Sequence, residues 1–132
     1  MPLFLDKSKQ SKTAAELLAK EGLFSSCINR AYYNCVQHLL HVLYEKLNYD
    51  NGKYYANKKD YEGSHSYVSR IIGDELYKKS HSDYKWYQVK IKEFKLLRVK
   101  ADYYPDIITS DEGNDSLKRS EAIINCVNTI VK

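Results

Sequence analysis

From Phe24 to His41 the chain reads Phe-Ser-Ser-Cys-Ile-Asn-Arg-Ala-Tyr-Tyr-Asn-Cys-Val-Gln-His-Leu-Leu-His, with no glycine and no proline. Apolar residues fall at Phe24, Cys27, Ile28, Ala31, Cys35 and Leu39 and continue at Val42 and Leu43. Steps of three and four put them on one face of a helix that runs from about Phe24 to Leu47. A second stripe carries Arg30, Asn34, Gln37 and His41. At 3.6 residues per turn these four lie within about 60° of each other. One face of this helix belongs to a core, and the other is a concentrated polar surface.

The same period organises the rest of the chain. Residues 1–10 read as a flexible lead-in. Ser11 or Thr13 then caps a first helix, with Glu16 completing a capping-box pattern after Thr13 and Gly22 ending it. A long connection follows the second helix from Asn48 to Gly63, with a turn signal at Asp50-Asn51-Gly52. Ser64 opens a third helix, with Tyr67, Val68, Ile71, Ile72 and Leu76 as its apolar positions. A fourth runs from about Tyr84 to Tyr103, with Tyr87, Ile91, Phe94, Leu97 and Ala101 on one stripe, and Pro105 stops it. After an acidic turn from Thr109 to Asn114, Asp115 or Ser116 caps a last helix carrying Leu117, Ile123, Ile124, Val127, Ile130 and Val131. No strand alternation, repeat or low-complexity tract interrupts this pattern. The expected fold is all-α, an antiparallel four-helix bundle with an additional short helix, and residues 1–132 form a single domain.

Composition changes this picture in two places. A chain of 132 residues buries roughly two-thirds of its unfolded surface, which suffices for one core without staples. Thirteen tyrosines are unusual, but tyrosine packs, hydrogen-bonds and stacks on bases, so their number does not choose among roles. The net charge of +4 is mild and unevenly spread. Lys78 to Lys100 holds eight cations against Asp83 and Glu93, whereas Ala101 to Glu121 holds six carboxylates against Lys118 and Arg119. That asymmetry suits an anionic partner or a complementary self-contact. Cys27 and Cys35 lie eight residues apart on one helix, roughly 12 Å along its axis and beyond disulfide reach. With Cys126 they make an odd count, which fits a reducing cytoplasm. The N-terminus lacks a signal-peptide pattern, and no run approaches the ~20 apolar residues of a membrane span. The sequence therefore reads as cytoplasmic, with no membrane partner.

Candidate chemistry begins at Arg98, which projects from the apolar stripe of the fourth helix, four residues after Phe94. A guanidinium there needs partners, and Asp102 stands at i+4, the spacing of a helical ion pair. The pair is either structural or holds Arg98 to meet a phosphate, which its planar fork suits. The stripe Arg30, Asn34, Gln37, His41 reads as a solvated face, a dimer interface or a binding surface, with Tyr33 beside it able to stack on a base. His38, His41, His65 and His81 make no metal pattern, no glycine-rich phosphate loop exists, and no nucleophile arrangement can be read from spacing. No metal and no cofactor is expected.

Ala15-Glu-Leu-Leu-Ala-Lys-Glu-Gly22 followed by Ser26-Cys-Ile-Asn-Arg-Ala-Tyr-Tyr33 resembles the opening of HEPN domains (higher eukaryotes and prokaryotes nucleotide-binding). Gly63-Ser-His-Ser66 is similar to the mid-chain histidine of that family. Leu97-Arg-Val-Lys-Ala-Asp-Tyr103 is similar to the Arg-x-x-Ala-Asp-Tyr ending of one prokaryotic branch. The resemblance covers roughly residues 13 to 128. It implies a helical bundle of four main helices, a homodimer, and in many members a ribonuclease or toxin with an Arg-x(4–6)-His motif. Small members are often encoded beside a nucleotidyltransferase partner. Arg98 matches the arginine of that motif, but no histidine follows within reach, only Val99 to Asp106. Tyr103, with a pKa near 10, is a poor substitute base, and His65 or His41 would have to enter the site in space.

Three readings follow. The first is a HEPN-like RNA- or nucleotide-binding protein of a toxin–antitoxin or defence module, with a nucleotidyltransferase-like partner. In it Arg98, supported by Asp102, contacts phosphate, and Arg30, Tyr33 and Asn34 line the same groove or the dimer seam, with His41 as a further binding candidate. The second is a metal-independent ribonuclease with a rearranged general base, its catalytic residues drawn from Arg98, Asp102, Tyr103 and His65. The third is a non-catalytic dimeric interaction module.

Overall fold

The computed structural model describes residues 3–50 and 63–131. Among them the fold is all-helical, with five α-helices and no strand: α1 (Leu3–Lys20), α2 (Phe24–His41), α3 (Ser64–Lys79), α4 (His81–Tyr103) and α5 (Ser110–Val127). A π-helical turn, Val42–Lys46, prolongs α2, and a 3-10 turn, Asn128–Val131, prolongs α5. The turn signal at Asp50-Asn51-Gly52 and most of the long connection fall outside the described residues.

The central helix is α2, which packs against each of the other four. It pairs with α1 as an antiparallel hairpin closed at Gly22. Gly22 takes φ 73°, and Gly22 N donates to Ala19 O at 3.1 Å while Leu23 N donates to Leu18 O at 2.9 Å. This left-handed cap stops α1, as glycine does at little steric cost. At the far end Phe4 stacks on Tyr44, centroids 5.4 Å apart. Residue pairs fix the other directions. Cys27 lies by Ser116, Asn34 by Ser120 and His38 by Asn128, so α5 runs parallel to α2. Tyr32 meets Phe94 and Asn29 meets Asp102, so α4 runs antiparallel to it. The bundle is thus mixed in direction and not the wholly antiparallel one that the sequence suggests, because α5 packs along α2 in the same sense.

The core sits on both sides of α2. Ile28, Leu39, Leu43, Tyr67, Ile72, Leu76, Tyr87, Phe94 and Ile123 are buried almost completely, and each such side chain stabilises the fold by about 1.5–3 kcal/mol. Three of the thirteen tyrosines, Tyr32, Tyr67 and Tyr87, are therefore core residues. Close packing of α2 against α5 depends on Gly113, where an added Cβ would lie 2.5 Å from Phe24 Cδ1.

Three boundaries differ from the sequence expectation. Leu3–Gln10 is not a flexible lead-in but the first half of α1, because Ser8 and Ser11 lie buried against α2 and hydrogen-bond to it. The last helix starts at Ser110 rather than after Asp115. Thr109 forms the capping box, accepting from Glu112 N at 3.1 Å while Glu112 Oε1 accepts from Thr109 N at 3.2 Å. Gly113-Asn114 suggests a turn by composition, but the glycine is needed where Phe24 leans on the helix. A serine cap at Ser80, accepting from Asp83 N at 3.2 Å, starts α4 three residues before Tyr84.

Candidate functional site

Arg30-Ala-Tyr-Tyr33 lies in the middle of α2, facing the N-terminal end of α3 and the C-terminal half of α4. The Arg98 guanidinium reaches from α4 over the Tyr32 ring, Cζ 5.2 Å from its centroid. Arg30 lies over the next ring, Tyr33, at 5.0 Å. Two cations therefore stand on two consecutive aromatic faces, an arrangement that the ring quadrupoles favour. A polar chain joins them. Arg98 Nη1 donates to Asp102 Oδ2 at 3.3 Å. The same oxygen accepts from Asn29 Nδ2 at 3.0 Å. Asn29 Oδ1 in turn accepts from Arg30 Nε at 3.0 Å and Nη2 at 2.8 Å.

The third member is His65, in the first turn of α3. Its ring lies 5.6 Å from Tyr32 and 5.5 Å from Tyr33, centroid to centroid. Its Nδ1 is 3.5 Å from the Tyr32 hydroxyl. Lys95, one turn before Arg98, donates to Ser66 Oγ at 3.2 Å and adds a third positive charge. A groove of about 800 Å³ opens between α3 and α4, with Tyr32, His65 and Lys95 among its lining residues. A smaller cleft of about 450 Å³ shares Asn29, Arg30 and Asp102.

Electrostatics set the protonation states. Burial pushes His65 below the usual imidazole pKa, and the charges of Arg98 and Lys95 push it further the same way. His65 is therefore neutral near pH 7. Burial works against the Arg98 charge, but the hydrogen bond to Asp102 and the nearby tyrosines raise its pKa overall, so it stays cationic. Burial raises the Tyr32 hydroxyl to about 12, despite the opposing pull of Arg98. Imidazole is the side chain whose ordinary pKa lies nearest neutrality, and burial keeps its neutral form here. The arrangement can hold an anion, and it presents one neutral imidazole beside that anion's position.

The remaining sequence candidates are elsewhere. Asn34 is buried in the α1–α2–α5 interior, where Nδ2 donates to Ser120 Oγ at 2.9 Å and Oδ1 accepts from Ser8 Oγ at 2.8 Å. Gln37, with its amide turned to donate, bonds Lys7 O at 2.9 Å, Tyr33 O at 3.2 Å and Ser11 Oγ at 2.7 Å. His41 lies two turns beyond Tyr33, its ring 5.6 Å from His38. Only Arg30 of the four-residue polar stripe belongs to the Arg98 cluster. Below it the stripe is a buried seam that α1 covers, so the solvated-face reading fails at Asn34 and His41. Tyr103 is 72% exposed one residue beyond Asp102. Asn29, which bridges the two arginine systems, stands on neither the apolar nor the polar stripe, and its one sequence signal is its place beside Arg30. Among the described residues no group of three or more His, Cys, Asp or Glu is arranged to hold a metal ion, and no helix is long and apolar enough to cross a membrane.

The histidines make stability depend on pH. Burial lowers His38, its largest influence, against a hydrogen bond from its Nε2 to Asn128 at 2.7 Å. Burial and then the His38, Lys46 and Lys9 charges lower His41, against Glu45. With His65, three imidazoles bind protons less readily folded than unfolded. Between the depressed folded values and about 6.5 the unfolded chain carries more protons, so stability rises with pH there. It is fully present above about pH 7 and declines as pH falls through 6.5. Urea unfolding at pH 7.5 and pH 5.5 is expected to give a lower midpoint at pH 5.5, with the difference reduced in His38→Gln. Equal midpoints would contradict these proton assignments.

No family model matches this sequence, and no curated protein matches it.

Proposed function

We propose that the chain is a HEPN-like RNA- or nucleotide-binding protein whose ligand phosphate is held by Arg98 and Arg30 beside His65. The observation that carries this reading is the pair of arginines, drawn from two helices and joined through Asn29 and Asp102, over the faces of Tyr32 and Tyr33. Arg98 uses one donor on Asp102, and a guanidinium has five, so donors are left for phosphate oxygens. Lys95 adds charge where it lines the groove with Tyr32 and His65; neither arginine is among the groove's lining residues. The sequence resemblance extends the proposal to a homodimer working with a nucleotidyltransferase-like partner in a toxin–antitoxin or defence module.

A second reading has its own observation. The Arg-x(4–6)-His pattern lacks its histidine in sequence, but His65 stands against the same tyrosine ring as Arg98. Being neutral near pH 7, it has the chemistry of a base for the ribose hydroxyl proton, while Arg98 would balance charge on the phosphate. This is the ribonuclease alternative with His65 as the base; it does not use Tyr103.

A labelled single-stranded RNA followed by fluorescence anisotropy tests the binding reading. Affinity should fall steeply between about 50 and 200 mM salt, as phosphate contacts release counterions, and free nucleotide should compete if one phosphate suffices. Absence of binding, or indifference to salt, would favour the interaction module. Incubation with RNA in chelator tests the second reading: cleavage lost in His65→Gln supports it, and intact RNA removes it.

A further inference from the structure

A separate cleft of about 210 Å³ lies between α4 and α5, away from the Tyr32–Tyr33 cluster. Trp86 lines it from α4, with Lys90 one turn on; Lys118 and Arg119 line it from α5, over Ala122 and Ile123. Trp86 is the only tryptophan in the chain, and it is 37% exposed, so part of the indole is open to a ligand. Three cations face one carboxylate in this lining, Asp115. That carboxylate pairs with Arg119 Nη2 at 3.3 Å, and the Arg119 Nε–H is buried without an acceptor among the described residues. Lys90 meets Glu93 only at 3.8 Å, both well exposed, a pair that contributes little. Lys118 has no ion pair among the described residues.

We infer that this cleft is a second contact for a nucleic-acid single strand, one base lying against Trp86 and the adjoining phosphates on Lys90, Lys118 and Arg119. An aromatic face set among cations is how proteins hold single strands without reading sequence. Size separates a strand from a free nucleotide. Sites that enclose a drug-sized ligand have about 300–1,000 Å³, so this cleft takes one ring system and leaves sugar and phosphate outside it. Position fits as well. Trp86 and Arg98 are twelve residues apart on α4, about 18 Å along its axis, and the exposed Lys92 and Lys95, which line the α3–α4 groove, lie on the helix between them. This inference rests on the proposed reading for the identity of the ligand, but it uses none of that site's residues.

The test uses a labelled oligouridine for affinity and Trp86 emission for the cleft. Oligouridine is expected to quench the emission of the full chain. Trp86→Leu should weaken anisotropy-measured affinity by about tenfold, with Trp86→Phe recovering part of it and circular dichroism confirming that both fold. The double variant Lys90→Gln, Lys118→Gln should make the log affinity against log salt shallower by about 1.4, two single-strand phosphate contacts at ~0.7 each. Uridine monophosphate at equal phosphate concentration should leave the emission unmoved; equal quenching would overturn the assignment to a strand. Binding that depends on Arg98 while emission stays constant and Trp86→Leu has no effect would overturn this inference alone. Quenching by RNA with affinity indifferent to Arg98→Ala would overturn the Tyr32–Tyr33 site and keep this one. No binding at all overturns both.

Discussion

Arg98→Ala is expected to fold and to lose about 10- to 100-fold in RNA affinity. Hydrogen bonds to a charged group contribute about 1.5–3 kcal/mol, which converts to that range. The effect on the fold should be small, about 1 kcal/mol, because a partly exposed ion pair contributes little and Asn29 still bonds Asp102 in the variant. Arg98→Lys separates charge from shape. It keeps the cation but loses the planar contact over Tyr32 and the forked donors, so its affinity should fall between wild type and alanine. Unchanged affinity in a folded Arg98→Ala protein would remove Arg98 from the ligand site and leave the Arg98–Asp102 pair a structural one.

The opposite separation is expected at Asn34. Asn34→Ala should lower stability by about 1–3 kcal/mol while leaving the RNA affinity of the folded protein unchanged. Removing the amide leaves Ser8 and Ser120, which are 3% and 0% exposed, without their shared partner. A buried polar group left unsatisfied costs about 1–3 kcal/mol, though Ser8 keeps its bond to the Asn34 carbonyl at 2.7 Å. Denaturant unfolding beside the anisotropy assay reads both quantities. Loss of affinity without loss of stability would return Asn34 to the ligand groove that its place in the polar stripe first suggested.

That contrast shows what periodicity can and cannot convey. The apolar stripes of α2, α3 and α4 were legible because burial is written in single residues: Ile28, Ile72 and Phe94 have one role at such spacing. Polar stripes are ambiguous because the same amide serves water, a ligand or a second helix. Asn34 and Gln37 read as exposed because α1 was expected to begin only at Ser11 or Thr13. Once α1 extends back to Leu3, Ser8 and Ser11 stand opposite them, and the stripe becomes a buried polar seam. The error at the helix boundary and the error at the candidate site have one cause.

The Arg98 cluster, as a candidate site, was partly legible. Arg98 announced itself by standing on an apolar stripe, and Asp102 by the i+4 spacing. Arg30 and Tyr33 came from the same short motif. What sequence could not convey is which rings the guanidiniums cover, since that depends on α4 crossing α2 at Tyr32 and Phe94. His65 is separated by 33 residues in sequence from Arg98, and both lie against the Tyr32 ring. The histidine absent after Arg98 is thus not a sufficient argument against phosphate chemistry, since an imidazole reaches the cluster from α3.

The central claim is that RNA phosphate is held at the Arg30–Arg98–His65 cluster, and a nuclear magnetic resonance titration of isotope-labelled protein with single-stranded RNA tests it most directly. The Arg98 Nε–H is buried and has no acceptor among the described residues, which makes it a sheltered reporter. Shifts are predicted at Arg98 Nε–H, the Asn29 side-chain amide and the His65 ring, with the buried Asn34 amide and the half-buried Gln37 amide unmoved. Shifts concentrated at Asn34 and Gln37, or none at Arg98 and His65 under saturating RNA, would contradict it.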